Sequence, residues 1–375
     1  MPQHPGFNEG MTPAALLTED WTRTIERLGG TEALAAGSRK TKAFAWGRKI
    51  PTPEVLLRLV LAYCLGEWGL RSAVAWGAAV GLADISNVAL LYRLRRCGDW
   101  LAALVGHVLA ARTPGSSHGR LIRIIDGSSV PKAGSTAKRG NGLWRIHSAF
   151  DLPGEQFGHF VLTDEHEGEQ LDLIPVLPGE IRLADRAYLQ PDRIANVLAE
   201  GADVVIRVAW KNARWQQQNG QPFDLVGTLR QATADRIDVP VWIGRRHGPA
   251  LAMRLIAVRK SAADAAEGRR KARRQGQKDG YQPSQETLTA ADWFILTTSL
   301  QAAEFSTDDV LALYRLRWRV ELGFKRLKSV IGLHGPPGTD ERSARPYILA
   351  HLLMLLLLEP SIDALEDSPR WACAA

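Results

Sequence analysis

Apolar residues recur at helical steps through the first third of the chain. Pro53 opens a stretch in which Val55, Leu56, Leu59, Val60 and Tyr63 lie three or four apart or adjacent, which predicts a helix. Leu70–Val80 and Asn87–Arg96 predict two more, separated by the break Gly81–Ser86, with Ser86 placed as an N-cap. At Arg120 the period changes. Leu121–Ile125, Arg145–Phe150 and Phe157–Thr163 read as strands, the last two separated by Pro153-Gly154. Ile181–Ala184 is a further strand, followed by a helix over Pro191–Glu200 and a strand over Ala202–Trp210. Short β-like runs (Val239–Ile243, Leu251–Val258) come next, then a strand at Trp293–Thr298 and a helix starting near Thr307. A final helix over Arg345–Leu358 is expected to stop before Pro360. There is no internal repeat.

The helix near Thr307 carries two stripes. Val310, Leu313, Leu316, Val320, Phe324, Leu327 and Ile331 repeat at steps of three and four, as a core-facing side requires. Tyr314, Arg317, Glu321 and Lys328 fall within about 60° of one another on a helical wheel, and Lys325 joins them. Such a line of charge along one edge of a packed helix is in most proteins a salt-bridged surface. Residues 1 to about 115 are expected to be helical throughout. Within them, a helix-turn-helix that sets its second helix, with Arg93, Arg95 and Arg96, in a DNA major groove accounts for Leu70–Arg96. An ordinary helical hairpin accounts for it equally well.

The net charge of +7 is unevenly placed, because residues 211–290 hold 15 Lys/Arg against 7 Asp/Glu. That excess points to a polyanion partner, although exposed basic loops also occur without one. Within the block, Arg269–Arg274 reads as a solvated loop that would touch phosphates without regard to sequence. Cys64, Cys97 and Cys373 are far apart and form no C-x-x-C pair, so a disulfide framework or zinc site is not expected and a reducing cytosol is. The N-terminus shows no signal segment, and the apolar run near Leu352–Leu358 is too short to span a bilayer, so a soluble protein is expected.

Two aspartates sit where apolar strands are expected to stop, Asp126 before Gly-Ser-Ser and Asp185 before Arg-Ala-Tyr. Singly, each reads as a turn or a surface pair. With Glu321 they would form three carboxylates that repel one another unless a divalent cation neutralises them. Oxygen ligands without His or Cys favour Mg²⁺ or Mn²⁺. Two such ions would activate a water or 3′-hydroxyl and stabilise the leaving oxygen of an in-line phosphoryl transfer. His147 and His159 lie on the expected meander strands and are assigned no role.

The spacing Tyr314-x2-Arg317-x3-Glu321-x6-Lys328 resembles the Y-R-E-K signature of bacterial insertion-sequence transposases, the hairpin-forming group within the DDE superfamily. Asp126-Gly-Ser and Asp185-Arg-Ala-Tyr are similar to that family's two aspartate motifs, and the resemblance covers roughly residues 120–335. It implies an α/β fold with an RNase H-like catalytic core at 116–210 and 291–335, interrupted by a basic β-rich insertion at 211–290. A helical DNA-binding domain at 1–115 and a C-terminal helix and tail at 336–375 complete the expected organisation. It further implies that Tyr314, Arg317, Lys325 and Lys328 grip phosphates, that Trp293 stacks on a flipped base, and that Arg207 belongs to the same pocket. For Trp293 a core tryptophan at a strand start is the plain alternative. The expected activity is metal-dependent strand cleavage, hairpin formation and strand transfer, moving the element by cut and paste in the bacterial cytoplasm, at the nucleoid when DNA-bound. The expected partners are the terminal inverted repeats, target DNA and a second copy of the chain. Few residues follow Pro360, so the long C-terminal dimerisation region of some family members is expected to be absent. A nuclease derived from such an element would keep the three carboxylates without needing Trp293; a non-catalytic DNA-binding repressor would need neither.

Overall fold

A computed structural model describes residues 21–111, 119–132, 142–152, 154–164, 166–338 and 340–366; the N-terminal twenty residues, Pro153 and Cys373 lie outside them. Among the described residues six helices come first: α1 (Trp21–Arg27), α2 (Gly30–Lys40), α3 (Pro53–Leu65), α4 (Leu70–Ala79), α5 (Asn87–Leu94) and α6 (Gly98–Ala110). Their starts follow local chemistry. The Thr52 hydroxyl accepts from the Val55 amide ahead of Pro53, and Ser86 accepts from the Ala89 amide, as expected of an N-cap.

The strands β1 (Ile122–Pro131), β2 (Leu143–Leu152) and β3 (Gln156–Asp164) form an antiparallel meander. β4 (Ile181–Ala184) lies parallel to β1, helix α7 (Pro191–Ala199) follows it, and β5 (Asp203–Arg207) lies parallel to β4. Next come β6 (Arg214–Gln216), α8 (Leu225–Gln231), β7 (Arg236–Gly244), β8 (Leu251–Arg259), α9 (Ala262–Asp279), α10 (Gln285–Ala291) and β9 (Trp293–Thr298). All nine strands join one sheet in the order β3-β2-β1-β4-β5-β9-β8-β7-β6. The strands of the basic block are therefore continuous with the rest, because β9 pairs with β5 on one side and with β8 on the other.

Side-chain alternation along the strands divides the apolar residues between two faces. Ile122, Ile124, Ile181, Leu183 and Val205 share a core with the N-terminal helices and with α11 (Thr307–Arg315), α12 (Arg319–Lys325) and α13 (Glu341–Glu366). Ile125, Ala184, Val204 and Ile206 share the other with Ile194 and Val197 of α7 and Leu225 and Leu229 of α8. At the start of β1 and β4, Arg123 pairs with Asp151 at 2.8 Å and with Glu180 at 3.2 Å, and Arg182 pairs with Glu180 at 2.5 Å, all almost fully buried. Each charge is compensated, so removing one partner would cost about 3–5 kcal/mol.

Three expectations are corrected. Arg269–Arg274 is not a loop but part of the 18-residue α9, which starts at a Ser261 cap and ends at left-handed Gly280 (φ 76°). The motif helix is not continuous: a 3₁₀ turn (Leu316–Trp318) separates α11 from α12, and a π turn (Arg326–Val330) follows α12. The last helix does not stop before Pro360 but runs on to Glu366, its preceding turns anchored by fully buried Leu352, Leu353, Leu355 and Leu356. No helix among the described residues is long and apolar enough to cross a membrane.

Candidate active site

The parallel rungs between β1 and β4 end at Ile125↔Ala184, so the next residues, Asp126 and Asp185, emerge side by side. Asp126 is not at the end of its strand, as expected, but halfway along it. β2 keeps pairing with β1 as far as Pro131, because Ser128 and Val130 continue the alternation begun by Ile122 and Ile124. What stops at Asp126 is the parallel ladder. Asp126 Oδ1 accepts from the Gly127 amide at 2.9 Å. Asp185 Oδ1 accepts from the Ala187 amide at 2.7 Å and caps the short turn Arg186–Tyr188. Burial pushes the Asp126 carboxyl up to about 6, with the neighbouring charges of Asp185 and Glu169 adding to it and the Gly127 amide and Arg317 opposing it.

Opposite the two aspartates stands the helical segment with the Y-R-E-K spacing. Its apolar stripe is buried as expected, apart from half-buried Leu316. Arg317 Nη1 lies 3.6 Å from Asp126 Oδ2, and Arg317 Nη2 donates to Glu321 Oε1 at 3.0 Å. One guanidinium thus bridges the first aspartate and the glutamate. Tyr314 is buried rather than lined up with exposed Glu321 and Lys325, since the 3₁₀ turn interrupts the helical wheel; Lys328 is half-buried in the π turn. Burial also pushes the Tyr314 phenol up to about 12.

The donor chemistry suits a hard divalent cation: carboxylate oxygens where two adjacent parallel strands part, with a third on the facing helix. The positions shown are those of a guanidinium-bridged site. Among the described residues no three acidic, histidine or cysteine side chains are gathered at metal-ligand separations. Asp126, Asp185 and Glu321 could hold a cation only once Arg317 moved out from between them.

A cavity of about 1290 Å³ leads away from Asp185 past Arg207, Lys211, Lys260, Tyr281 and Tyr314. That exceeds the range for drug-sized ligands and suits an extended chain. On its wall the two aromatic residues of β9 point to opposite faces. Phe294 packs against Tyr314 at 5.6 Å beneath the Arg207 guanidinium, also at 5.6 Å. Trp293 is 3% exposed within the other core, and the Arg259 guanidinium covers its ring at 4.3 Å. Arg93, Arg95 and Arg96 lie apart from the cavity: Arg93 donates to the Trp46 carbonyl, Arg95 pairs with Asp340 at 2.7 Å, and Arg96 is exposed beside Tyr92.

Sequence reasoning missed two groups at the aspartate pair. Glu169 lies so close behind β1 that a Cβ on Gly127 would meet its Oε1 at 3.3 Å. The Tyr188 hydroxyl is buried without a hydrogen-bond partner, and burial together with the charges of Asp126, Glu169 and Asp185 raises the phenol far above its ordinary value. Glu169 gave no signal beyond its place in the acid-rich run Asp164–Glu169; Tyr188 stood in plain view three residues after Asp185. His147 is a buried sheet histidine with Nε2 at 2.9 Å from Thr163 Oγ1.

Residues 117–357 match the family described as "Transposase DDE domain". Two relatives from Escherichia coli extend the similarity over nearly the whole chain. The protein named "Putative transposase InsL for insertion sequence element IS186A", of strain K12, is 34% identical over 359 residues, 94% of this chain and 96% of the relative. The one named "Transposase for insertion sequence element IS421" is 34% identical over 360 residues with the same coverage. Domains of this family generally use divalent metals, in keeping with the carboxylate donors where β1 and β4 part. With the family match covering both aspartates, the glutamate and the sheet that presents them, the chain belongs to the DDE-domain transposases.

Proposed function

We propose that the protein cuts and rejoins the DNA of its own insertion sequence by a cut-and-paste route through DNA hairpins, with Asp126, Asp185 and Glu321 as the catalytic carboxylates. The observation that carries this reading is the emergence of Asp126 and Asp185 side by side where β1 and β4 part, with Glu321 held opposite them through Arg317. Five strands in the order β3-β2-β1-β4-β5, with β1, β4 and β5 parallel, support an RNase H-like core. Residues 1–115 would supply a DNA-binding region and 211–290 an insertion that widens the sheet.

Two Mg²⁺ or Mn²⁺ ions held by the three carboxylates would lower the pKa of the attacking oxygen and stabilise the leaving one. Arg317, released from Asp126 and Glu321, would grip a backbone phosphate together with Lys325 and Lys328, since guanidinium and ammonium groups bind phosphate oxygens strongly. Arg207, Lys211 and Lys260 along the cavity would hold the strand that leaves the site. A base flipped onto Trp293 would have to take the place that Arg259 holds over the indole; a base entering beside Phe294 would meet Arg207 and Tyr314. Two copies on duplex DNA would pair the inverted repeats at the element's ends.

The test uses a supercoiled plasmid carrying the coding region with its flanking DNA, incubated with the protein and Mg²⁺. Denaturing gels should show covalently closed ends on the excised fragment or its flanks before joined products accumulate. Release of open ends alone would remove the hairpin step. Hydrolysis without any joining would favour an element-derived nuclease.

A further inference from the structure

Most apolar side chains of the six N-terminal helices are buried, and α5 breaks that pattern. Leu90 and Leu94 face the core, yet Val88 is 69% and Tyr92 58% exposed. With exposed Arg96 just beyond the helix end they continue at steps of four, forming one outward stripe. A second exposed aromatic, Trp46 at 71%, lies in the segment joining α2 to α3. Arg93 ties the two together: it donates to the Trp46 carbonyl, and its guanidinium lies 5.8 Å from the Phe44 ring. Lys42 (φ 59°) and Arg48 (φ 47°) in the same segment adopt the left-handed conformation without being glycine. Such conformations cost free energy and persist where the surroundings hold them. Between residues 39 and 49 stand Arg39, Lys40, Lys42, Arg48 and Lys49, with no acidic residue. Of these, Lys49 has a loose, exposed pairing with Asp84 at 3.8 Å.

An outward stripe of valine, tyrosine and arginine, tied through Arg93 to a cation-rich segment, fits a partner with a polyanionic frame and apolar groups inside it. Duplex DNA is such a partner. Its phosphates attract lysine and arginine without regard to sequence, while the major groove presents thymine methyls and guanine acceptor edges. We infer that α5 and the 41–52 segment form one base-reading surface, in which Val88, Tyr92 and Arg96 meet base edges in a major groove and the cations of residues 39–49 hold the flanking backbone. Arg93 acts as a positioning residue that fixes the segment against the helix. Arg95 stays outside the surface, committed to Asp340 at the start of α13. The inference rests on the reading that the protein acts on the ends of its own element, and it reassigns two of the three arginines that the sequence pointed to.

The experiment measures binding of the full chain in EDTA, by fluorescence anisotropy, to two duplexes of about 40 base pairs, a length several times the half-site reach of one such helix. One comes from the DNA flanking the coding region and the other is a scramble of the same composition. Tyr92→Ala and Arg96→Ala should each reduce the preference for the flanking duplex by about tenfold or more. Val88→Ser, at an exposed position, should reduce it in the same direction. Replacing Lys42 and Arg48 by alanine should weaken both duplexes equally. Arg95→Ala should keep the preference. Wild-type preference in Tyr92→Ala and Arg96→Ala would overturn the inference, as would a wild-type protein that does not discriminate. So would a Tyr92→Ala variant that keeps its preference but changes oligomeric mass, since the stripe would then be a protein contact. If those variants keep their preference while the protein still cuts with Mg²⁺, this surface fails and the catalytic reading survives. If preference is lost as expected but the wild type cuts nothing, the catalytic reading fails and this surface stands.

Discussion

Arg317 is the residue on which the resting arrangement of the site turns. Its guanidinium already supplies a positive charge between Asp126 and Glu321, so a divalent cation must compete with it. Arg317→Ala should therefore bind Mn²⁺ several-fold more tightly in the absence of DNA, read by electron paramagnetic resonance of the free ion, while cutting DNA more slowly for want of a grip on the phosphate. Unchanged Mn²⁺ affinity would show that the bridge does not compete. Asp126 gives a second, pH-based expectation. Its carboxyl lies at about 6 in the folded chain against an ordinary 3.8, so between those values the folded protein holds a proton that the unfolded chain has released. Its contribution to stability thus falls as pH rises through that window and stays low above it. In EDTA, wild type should lose melting temperature relative to Asp126→Asn between pH 4 and pH 6; parallel curves would contradict this. Asp126 and Asp185 were legible as chemistry only together with Glu321 and the motif around it, since singly each reads as a turn or a surface pair. The Arg317 bridge was not legible, since spacing on a helix does not say which way a long side chain reaches.

Among the elements, α12 holds Glu321 at its distance from the sheet through a glycine. A Cβ on Gly323 would lie 2.6 Å from one atom of the Phe157 ring and 3.2 Å from the Phe150 ring. Those rings pack edge to face at 5.1 Å, and Phe157 also meets Phe324 at 5.5 Å, so they have little room to give. Gly323→Ala should destabilise the fold by about 1–3 kcal/mol through overpacking and lower cleavage by displacing Glu321. A stable variant with normal cleavage would mean the helix can shift freely. Strong periodicity made α3, α5 and the core stripe of α11 and α12 legible. The helix α9 had no such stripe: only Ala265 and Gly276 of its residues are buried, so its signals were the caps at Ser261 and Gly280 and a run of strong helix formers, which also reads as a solvated basic loop. Pro360 misled for a related reason, because a proline rule is local while the packing that holds α13 is not.

At the scale of the whole molecule, the basic excess lies on helix and strands continuous with the sheet rather than on a free loop. Arg269 is paired with Asp292 and Arg270 with Glu267; of the exposed cations Lys271, Arg273 and Arg274 on α9, Lys271 shares Glu267 at 3.7 Å. Replacing those three with alanine should flatten the salt dependence of DNA binding by about 0.9 in the slope of log K against log salt for each phosphate that a replaced cation had neutralised. Equal slopes in wild type and variant would place the DNA elsewhere. The succession of strands from β1 to β5 was legible because each strand announces itself between turns, but the pairing of β9 with both β5 and β8 was not, since pairing across whole intervening elements leaves no local mark. The most direct measurement is cleavage of a duplex bearing the element's end, with Mg²⁺, by Asp126→Asn, Asp185→Asn and Glu321→Gln, alongside binding of the same duplex. Metal-assisted phosphoryl transfer by these three carboxylates requires that each variant lose at least about a thousandfold in cutting rate, some 4 kcal/mol of transition-state stabilisation, while binding changes little. Near-normal cutting by any one of them would contradict its place in the site.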